Sequence, residues 1–267
     1  MPYVLYQGRK IYYEESGSGP AIVLGHSFLC STEMWSGQVG PLSERHRVIN
    51  IDYRGHGRSD PAYQRFSLDD LLGDVLAVLD HLGVDRAIWA GLSTGGMVAL
   101  RAALSTPERV RALVLMDTDA GAERSLVALK YRAMVGAARI VGIRPLIPQV
   151  LSLMFGTTTQ LETPELVEEW RPKLMQPDLT TISHWVGALV GRVSLLSRLQ
   201  EIRVPTQVIV GAEDRSLPPA LSRRLSRAVA GSQLVEIPAA GHLSALERPE
   251  AVNRAMIRFL DGLEGTE

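Results

Sequence analysis

The fold is decided by the stretch Ala87-Ile88-Trp89-Ala90-Gly91-Leu92-Ser93-Thr94-Gly95-Gly96-Met97-Val98-Ala99-Leu100. It begins as an apolar run of strand length and continues as a small-residue segment with apolar positions at helical spacing. Between the two lies Gly91-x-Ser93-x-Gly95, the pattern of a sharp strand-to-helix turn that exposes a serine, called a nucleophile elbow. We predict that Ser93 is a nucleophile above a helix N-terminus, where backbone N–H groups stabilise negative charge. The alternative is a glycine-rich turn with an incidental serine.

Composition excludes several classes of protein and of site. The chain has 267 residues, enough for one large or two small domains, and its net charge of -1 gives no global attraction to nucleic acid or to an anionic membrane. We therefore expect neither as a partner. Cys30 is the single cysteine, which excludes an intramolecular disulfide and a cysteine-based metal site. With no signal-peptide pattern at the N-terminus, these features predict a cytoplasmic location.

Apolar runs around the central stretch predict further strands, and helical patterns separate most of them. The segment Ser67-x-x-Asp70 has the form of a capping box ahead of a helix. Regular alternation of strands and helices predicts a parallel sheet with helices on both faces, after an N-terminal hairpin. The predicted strands besides 87–92 are 4–7, 10–14, 21–24, 48–51, 112–116, 206–210 and 234–237, and the predicted helices include 34–42, 68–82, 218–230 and 247–263.

The alternation stops between residues 123 and 199. This segment has helical stretches, among them one that begins at Thr163-Pro164-Glu165, and no strand pattern. We predict that residues 1–122 and 200–267 form the core and that 123–199 is a helical cap over the carboxyl edge of the sheet. The alternative is that these helices extend the core elsewhere. The segment also carries several arginines, including Arg132, Arg139, Arg144 and Arg192.

A serine nucleophile needs a base and a group that orients the base. Asp214 and His242 each follow the end of a predicted parallel strand, at the edge where open α/β sheets place their sites. We therefore predict that Ser93, Asp214 and His242 form a catalytic triad. Asp117, at the end of the preceding strand, is the main alternative to Asp214, and Glu213 is another.

Acyl transfer also needs hydrogen-bond donors for the oxyanion. One predicted donor is the backbone N–H of Thr94, which follows the nucleophile. The second is the backbone N–H of Phe28, in the loop after the 21–24 strand, with Ser27 as its alternative. We expect the substrate pocket to be lined by Ser27, Leu29, Met97 and Trp185.

Three features near these residues are expected to be structural. His26 is predicted to hold its loop by hydrogen bonds. The turn at 54–58, Arg-Gly-His-Gly-Arg, lacks a nucleotide-binding fingerprint beside it and is interpreted as a structural turn. Cys30 has no elbow around it and is predicted to be a packed thiol.

These motifs together resemble those of the α/β-hydrolase superfamily over essentially the whole chain. The matching segments are Gly25-His26-Ser27-Phe28, Asp52-Tyr53-Arg54-Gly55-His56-Gly57-Arg58-Ser59, Gly91-Leu92-Ser93-Thr94-Gly95-Gly96, Gly211-Ala212-Glu213-Asp214 and Gly241-His242. Within that superfamily the chain looks most like the small esterases and enol-lactonases. The resemblance implies an eight-stranded, mostly parallel sheet with a helical cap, and a Ser-His-Asp site that needs neither metal nor cofactor.

The predicted function is hydrolysis of small to medium carboxylic esters through an acyl-enzyme on Ser93. The first alternative is a lactonase, including one for an enol-lactone, in which cap arginines bind a substrate carboxylate. Carbon–carbon bond hydrolysis, thioester hydrolysis, perhydrolysis and a ligand-sensing receptor role remain further alternatives, because one fold supports many functions.

Overall fold

A computed structural model describes residues 2–264 and contains one eight-stranded sheet in the order β1-β2-β4-β3-β5-β6-β7-β8. β1 pairs antiparallel with β2, and β2 pairs antiparallel with β4. All the other neighbouring strands pair parallel. All eight predicted strands and the predicted fold class are confirmed. The strands are β1 (Tyr3–Tyr6), β2 (Arg9–Ser16), β3 (Ala21–Gly25), β4 (Arg47–Ile51), β5 (Ala87–Leu92), β6 (Val110–Met116), β7 (Thr206–Gly211) and β8 (Gln233–Ile237).

The central strands are buried on both faces, which explains their continuous apolar sequence. Every residue of β5 and β7 is buried. Side chains of β5 alternate between two hydrophobic clusters, with Trp89 in one and Ile88 in the other. The sheet therefore lies in the middle of the core, and its carboxyl edge is a rigid platform for the loops that follow.

Helices cover both faces of this sheet. The Ser67 side chain accepts a hydrogen bond from Asp70 N, and the Asp70 side chain accepts one from Ser67 N, so the predicted capping box is present. Within residues 2–264, no helix is long and apolar enough to cross a membrane. The helices outside the 123–199 segment are α1 (Ser36–Ser43), α2 (Leu68–His81), α3 (Thr94–Ser105), α9 (Pro219–Ala228), α10 (Ser244–Glu247) and α11 (Pro249–Glu264).

Two prolines act differently from the sequence prediction. The helix predicted at 34–42, which we expected to stop near Pro41, continues to Ser43, so Pro41 lies inside α1. Proline has no N–H for the Gly37 carbonyl one turn earlier, and the Asn253 side chain donates to that carbonyl instead, at 2.8 Å. The last helix was expected from residue 247 onward, yet it divides at Arg248 because Pro249 begins a new helix at its favoured first-turn position.

The chain between β6 and β7 is helical, as predicted. Its helices are α4 (Ser125–Val141), α5 (Ile147–Met154), α6 (Thr157–Glu162), α7 (Pro164–Lys173) and α8 (Leu179–Val190). We call this segment the cap; its limits at 123 and 199 remain a prediction. Thr163 occupies the N-cap position of α7, but its hydroxyl donates back to the Thr159 carbonyl at 3.2 Å and does not cap the helix.

Candidate active site

Ser93 stands between β5 and α3 in a turn that only glycines allow. A Cβ on Gly91 would lie 2.2 Å from the carbonyl carbon of Gly95, and a Cβ on Gly95 would lie 2.0 Å from the Gly25 oxygen. Both distances are far inside van der Waals contact. The two glycines of the pattern are therefore required by the close approach of three backbone segments.

The backbone of Ser93 itself is strained. Its φ of 54° with ψ of -109° is a conformation that residues with a side chain rarely adopt. The Ser93 N–H donates to the Met116 carbonyl of β6 at 2.8 Å, and the Thr118 hydroxyl donates to the Ser93 carbonyl at 2.7 Å. Bonds to the neighbouring strand and loop thus hold the serine in place at the helix N-terminus.

His242 follows β8 and is paired with Asp214, which follows β7. The Nδ1 of His242 lies 2.9 Å from Asp214 Oδ2, and both side chains are buried. Because an ionised carboxylate only accepts hydrogen bonds, Nδ1 carries the proton and Nε2 keeps its lone pair. The other Asp214 oxygen accepts from the backbone N–H groups of Ser216 and Leu217, at 2.8 and 2.9 Å.

The two alternative carboxylates are engaged elsewhere. Asp117 accepts hydrogen bonds from Gly211 N at 2.7 Å and from the Ser244 hydroxyl at 2.5 Å. Glu213 accepts from the backbone and the hydroxyl of Thr158. The structure thus brings Asp214 to the histidine ring, while these two residues fasten neighbouring loops.

The charges around His242 set its basicity. Burial has the largest single effect and would lower the pKa of the imidazole. The carboxylates of Asp214, Asp117 and Glu247 together outweigh burial, Asp214 foremost, and hold the pKa above the ordinary 6.5. Burial also raises the pKa of Asp117 well above its ordinary value, and the nearby Asp214 adds to that rise.

Glu247 holds the histidine loop and was missed by the sequence analysis. Its Oε1 accepts from the N–H groups on both sides of His242, Gly241 N at 2.9 Å and Leu243 N at 3.2 Å. Its Oε2 accepts from Gly156 N in the cap at 2.8 Å. One buried carboxylate therefore ties the loop to the cap, and no sequence pattern distinguishes it from a solvated glutamate at a helix end.

The loop after β3 offers one free amide at the site. The Ser27 N–H points to Met34 Sδ at 3.3 Å, and the Leu29 N–H donates to His56 Nε2 at 3.0 Å. The Phe28 N–H between them has no hydrogen-bond partner within residues 2–264. Thr94 is the first residue of α3, where an N–H has no partner in its own helix. Phe28, rather than Ser27, thus has the available donor.

His26 has the structural contacts that were expected. Its Nδ1 lies 2.7 Å from the Ser27 carbonyl, and its Nε2 accepts from Tyr53 N at 2.9 Å. In the 54–58 turn, the buried guanidinium of Arg54 forms a salt bridge with Asp74 at 2.6 Å. Cys30 is buried, and burial raises the pKa of its thiol far above the range of a reactive cysteine.

An apolar cavity of about 140 Å³ lies between the carboxyl edge of the sheet and the cap. Ser93, Thr94 and His242 line it together with Phe28. The predicted pocket residues Ser27, Leu29 and Met97 line it as well. The cap contributes apolar side chains from α4, α5 and α8, including Met134, Val135, Val150, Leu153, Ile182 and Val186.

Trp185 differs from its predicted place in the pocket. Its side chain is fully buried, and its Nε1 donates to the Arg54 carbonyl at 2.9 Å, so it is not part of the cavity lining. Its ring stacks on Phe28, with centroids 5.7 Å apart. A buried indole N–H needs a hydrogen-bond partner, and the Arg54 carbonyl in the core provides it. Trp185 therefore packs behind Phe28 and does not line the cavity itself.

The cap arginines do not form the carboxylate clamp considered above. Arg132, Arg139 and Arg144 are exposed and lie outside the cavity lining. Arg192 does line it, but its guanidinium forms a buried salt bridge with Glu123 at 2.8 Å and also donates to the Gly121 carbonyl. The positive charge of Arg192 is therefore already balanced by Glu123 within the cavity lining.

Most of the cap lining was beyond the sequence analysis. The signal that could have found part of it lies in α4, where Tyr131, Met134, Val135 and Ala138 recur at helical spacing. That periodicity predicts an apolar face of α4. It does not predict what the face packs against, because the packing of the cap depends on contacts between residues that are far apart in the sequence.

Comparison with known proteins matches this architecture. A family model for the alpha/beta hydrolase fold covers residues 20–249. The chain belongs to the α/β-hydrolase family. It is 30% identical to 3-oxoadipate enol-lactonase 2 of Acinetobacter baylyi, over 89% of this chain and 87% of that protein.

Two solved structures have the same fold over nearly the whole chain. The enol-lactonase from Burkholderia xenovorans LB400 superposes with a TM-score of 0.91 at 30% identity, covering 97% of this chain and 100% of that one. A thermophilic esterase from Thermogutta terrifontis gives a TM-score of 0.91 at 27% identity, covering 98% and 97%. The chain is therefore an α/β-hydrolase-family hydrolase that is similar to enol-lactonases and esterases.

Proposed function

We propose that this protein is a serine hydrolase that cleaves uncharged carboxylic esters through an acyl-enzyme on Ser93. The observation that carries the proposal is the placing of Ser93 and His242 in one apolar cavity, with Asp214 hydrogen-bonded to the far side of the histidine ring. The cavity volume of about 140 Å³ suits an acyl or alcohol group of small to medium size.

In the proposed mechanism, Ser93 Oγ attacks the acyl carbon while His242 Nε2 takes its proton. Asp214 keeps the proton on Nδ1 and stabilises the imidazolium. The Phe28 and Thr94 N–H groups bind the oxyanion. His242 then protonates the leaving alkoxide, which leaves the acyl group on Ser93. Water, activated by the same histidine, hydrolyses that ester and restores the serine.

The apolar lining supports an uncharged substrate. A free carboxylate placed in this cavity would lose its hydration. Among the described residues of the lining, Arg192 is the one arginine or lysine, and it is already paired with Glu123. Desolvation of a charge without a new partner is costly. An ester with an unbranched apolar acyl chain meets no such penalty.

The second candidate is a lactonase that uses the same residues. Two of the similar proteins carry the name enol-lactonase. A lactone joins the acyl group and the alcohol in one ring, so both halves must fit the same cavity. An uncharged lactone fits the lining better than a carboxylate-bearing one.

The test is steady-state hydrolysis of p-nitrophenyl esters from acetate to decanoate, together with a γ-lactone and an enol-lactone. We expect the highest kcat/KM for a short or medium acyl ester. A lactone preferred by about a hundredfold, roughly 2.7 kcal/mol of transition-state binding, would establish the second candidate instead. Failure to hydrolyse any of these compounds would contradict both.

A further inference from the structure

The outer face of α4 is an exposed apolar stripe. Leu126, Leu129 and Ile140 are 78%, 64% and 86% exposed, which is unusual for large apolar side chains. Together with Ala133 they follow one side of the helix, at spacings of three, four and seven residues. We call these four residues the α4 stripe.

The inner face of the same helix is also apolar, and it is already covered. Tyr131, Met134, Val135 and Ala138 line the cavity on the opposite side from the stripe. Packing against the rest of the protein therefore explains why the inner face is apolar, but it does not explain the apolar outer face. The α4 stripe is apolar surface in addition to what the fold requires.

Cations flank the stripe on both sides. Helical geometry places Lys130 along one side of it and Arg132 and Arg139 along the other, and all three are exposed. Arg124 and Arg144 lie just beyond the two ends of the helix. Residues 124–161 contain these five cations and no aspartate or glutamate.

The flanking charges have no carboxylate partner in the part of the chain that the structure describes. Among residues 2–264, no carboxylate lies within 4.0 Å of the side-chain nitrogens of Arg124, Lys130, Arg132 or Arg144. Glu123 accepts a hydrogen bond only from the backbone N–H of Arg124, at 3.0 Å, and its carboxylate is paired with Arg192. Arg139 donates to the Ser183 hydroxyl, which is neutral. The surface therefore combines a buriable apolar strip with unneutralised positive charge.

The combination of exposed apolar side chains and positive charge favours one kind of binding partner over another. A second copy of the chain, docked through the same face about a two-fold axis, would set cations against cations. An anionic lipid surface accepts both parts, because acyl chains cover the leucines and the isoleucine while phosphates pair with the lysine and arginines. We propose that the α4 stripe docks the protein on anionic lipid surfaces.

The net charge of -1, which led us to expect no membrane partner, conceals this local excess of positive charge. Surface attraction falls off within a Debye length, about 8 Å at physiological salt, so the charges near the contact decide it. The binding does not depend on the proposed hydrolysis, and its test can be made separate from it.

The experiment measures partition of the full chain onto vesicles by co-sedimentation. Both the wild-type protein and Ser93→Ala are used, so that lipid esters stay intact in the second. We expect binding to vesicles of phosphatidylcholine with about one third phosphatidylglycerol, weaker binding to phosphatidylcholine alone, and loss of binding in high salt.

Two double variants test the face itself. Lys130→Gln with Arg132→Gln should weaken the partition coefficient about fivefold for each cation removed. Leu129→Ser with Ile140→Ser should weaken it by about tenfold or more, because each exposed aliphatic side chain loses its burial in the lipid. Hydrolysis of a water-soluble ester by these variants reports that the fold is intact.

Matched controls lie on other surfaces of the protein. Leu161→Ser removes an equally exposed leucine in α6, and Arg254→Gln with Arg258→Gln removes two exposed cations in α11. These variants should bind as the wild type does. Absence of binding to the anionic vesicles, equal loss in the controls, or a dimer that the α4 variants dissociate would each overturn the proposal.

Discussion

Asp117 and Asp214 are two buried aspartates that follow adjacent strands, and the structure separates their roles. Only Asp214 is bonded to the ring of His242, whereas Asp117 binds a backbone amide and a serine hydroxyl. At the level of single residues, the hydrogen-bond partner therefore decides which carboxylate can assist His242 in the proposed mechanism.

The first prediction compares these two residues. Asp214→Asn should lower kcat about 10⁴-fold, because an amide no longer fixes the histidine tautomer or stabilises the imidazolium. Asp117→Asn should cost at least about a hundredfold less, since the histidine keeps its partner. Steady-state kinetics on one p-nitrophenyl ester measures both. Equal losses in the two variants would contradict the assignment.

A second prediction concerns pH. His242 acts as a base only when it is neutral, so kcat/KM should rise with pH through the pKa of this residue in the free enzyme. The surrounding carboxylates, Asp214 foremost, outweigh burial and hold that pKa above 6.5, so the midpoint of the acid limb should lie above pH 6.5. In Asp214→Asn, the main raising influence is lost while burial remains, and the midpoint of the residual activity should move to lower pH.

Sequence patterns predicted the places of the three candidate residues in the fold, and hydrogen-bond geometry favours one of the alternative carboxylates. Ser93, Asp214 and His242 follow the ends of β5, β7 and β8, and strand ends can be read from apolar runs. Glu247 could not be found this way. Its role depends on three backbone amides, one of which lies 91 residues away in the cap.

At the scale of elements, the 54–58 turn links three parts of the fold. The Arg54 guanidinium pairs with Asp74 of α2, and the Arg54 carbonyl accepts from Trp185 of α8. Both side chains of the ion pair are buried, with 3% and 0% exposure. Burial without a partner is very costly for either charge.

The third prediction follows from this pair. Asp74→Ala should lower the free energy of unfolding by about 3–5 kcal/mol, because Arg54 stays buried and loses its counter-ion. The matched control is Asp80→Ala in the same helix, which removes a 64% exposed partner of Arg109 and should cost under about 1 kcal/mol. Urea denaturation of both variants measures the difference. Similar costs would show that burial of the first pair does not matter.

Element boundaries were predictable where the chain signals them locally. The capping box at Ser67 fixed the start of α2 correctly. The helix α1 ran past Pro41 because Asn253, more than two hundred residues away, satisfies the carbonyl that the proline leaves open. A hydrogen bond between residues so far apart in the sequence cannot be predicted from the residues around the proline.

At the scale of the whole molecule, the cap decides what the site can bind. The sheet edge supplies Ser93 and His242, while α4, α5 and α8 supply most of the apolar lining. The mutual packing of these helices was the part of the fold that periodicity could not give. It also placed Arg192 and Glu123 against each other inside the cavity.

The fourth prediction uses this ion pair. The wild type should prefer p-nitrophenyl hexanoate to the mono-p-nitrophenyl ester of adipate, which has the same chain length and an added carboxylate, by about tenfold or more in kcat/KM. Glu123→Gln should raise kcat/KM for the adipate ester, since it releases the Arg192 guanidinium to bind a carboxylate. A variant that leaves the ratio of the two esters unchanged would show that the pair does not set specificity.

Covalent labelling tests the central claim, that Ser93 forms the acyl-enzyme. The protein is treated with an alkyl fluorophosphonate, residual hydrolysis of a p-nitrophenyl ester is followed, and the modified peptide is identified by mass spectrometry. We predict one adduct per chain, on Ser93, with loss of activity in proportion to labelling, and no adduct in Ser93→Ala. Hydrolysis that continues at the wild-type rate after Ser93 is fully labelled would contradict the mechanism.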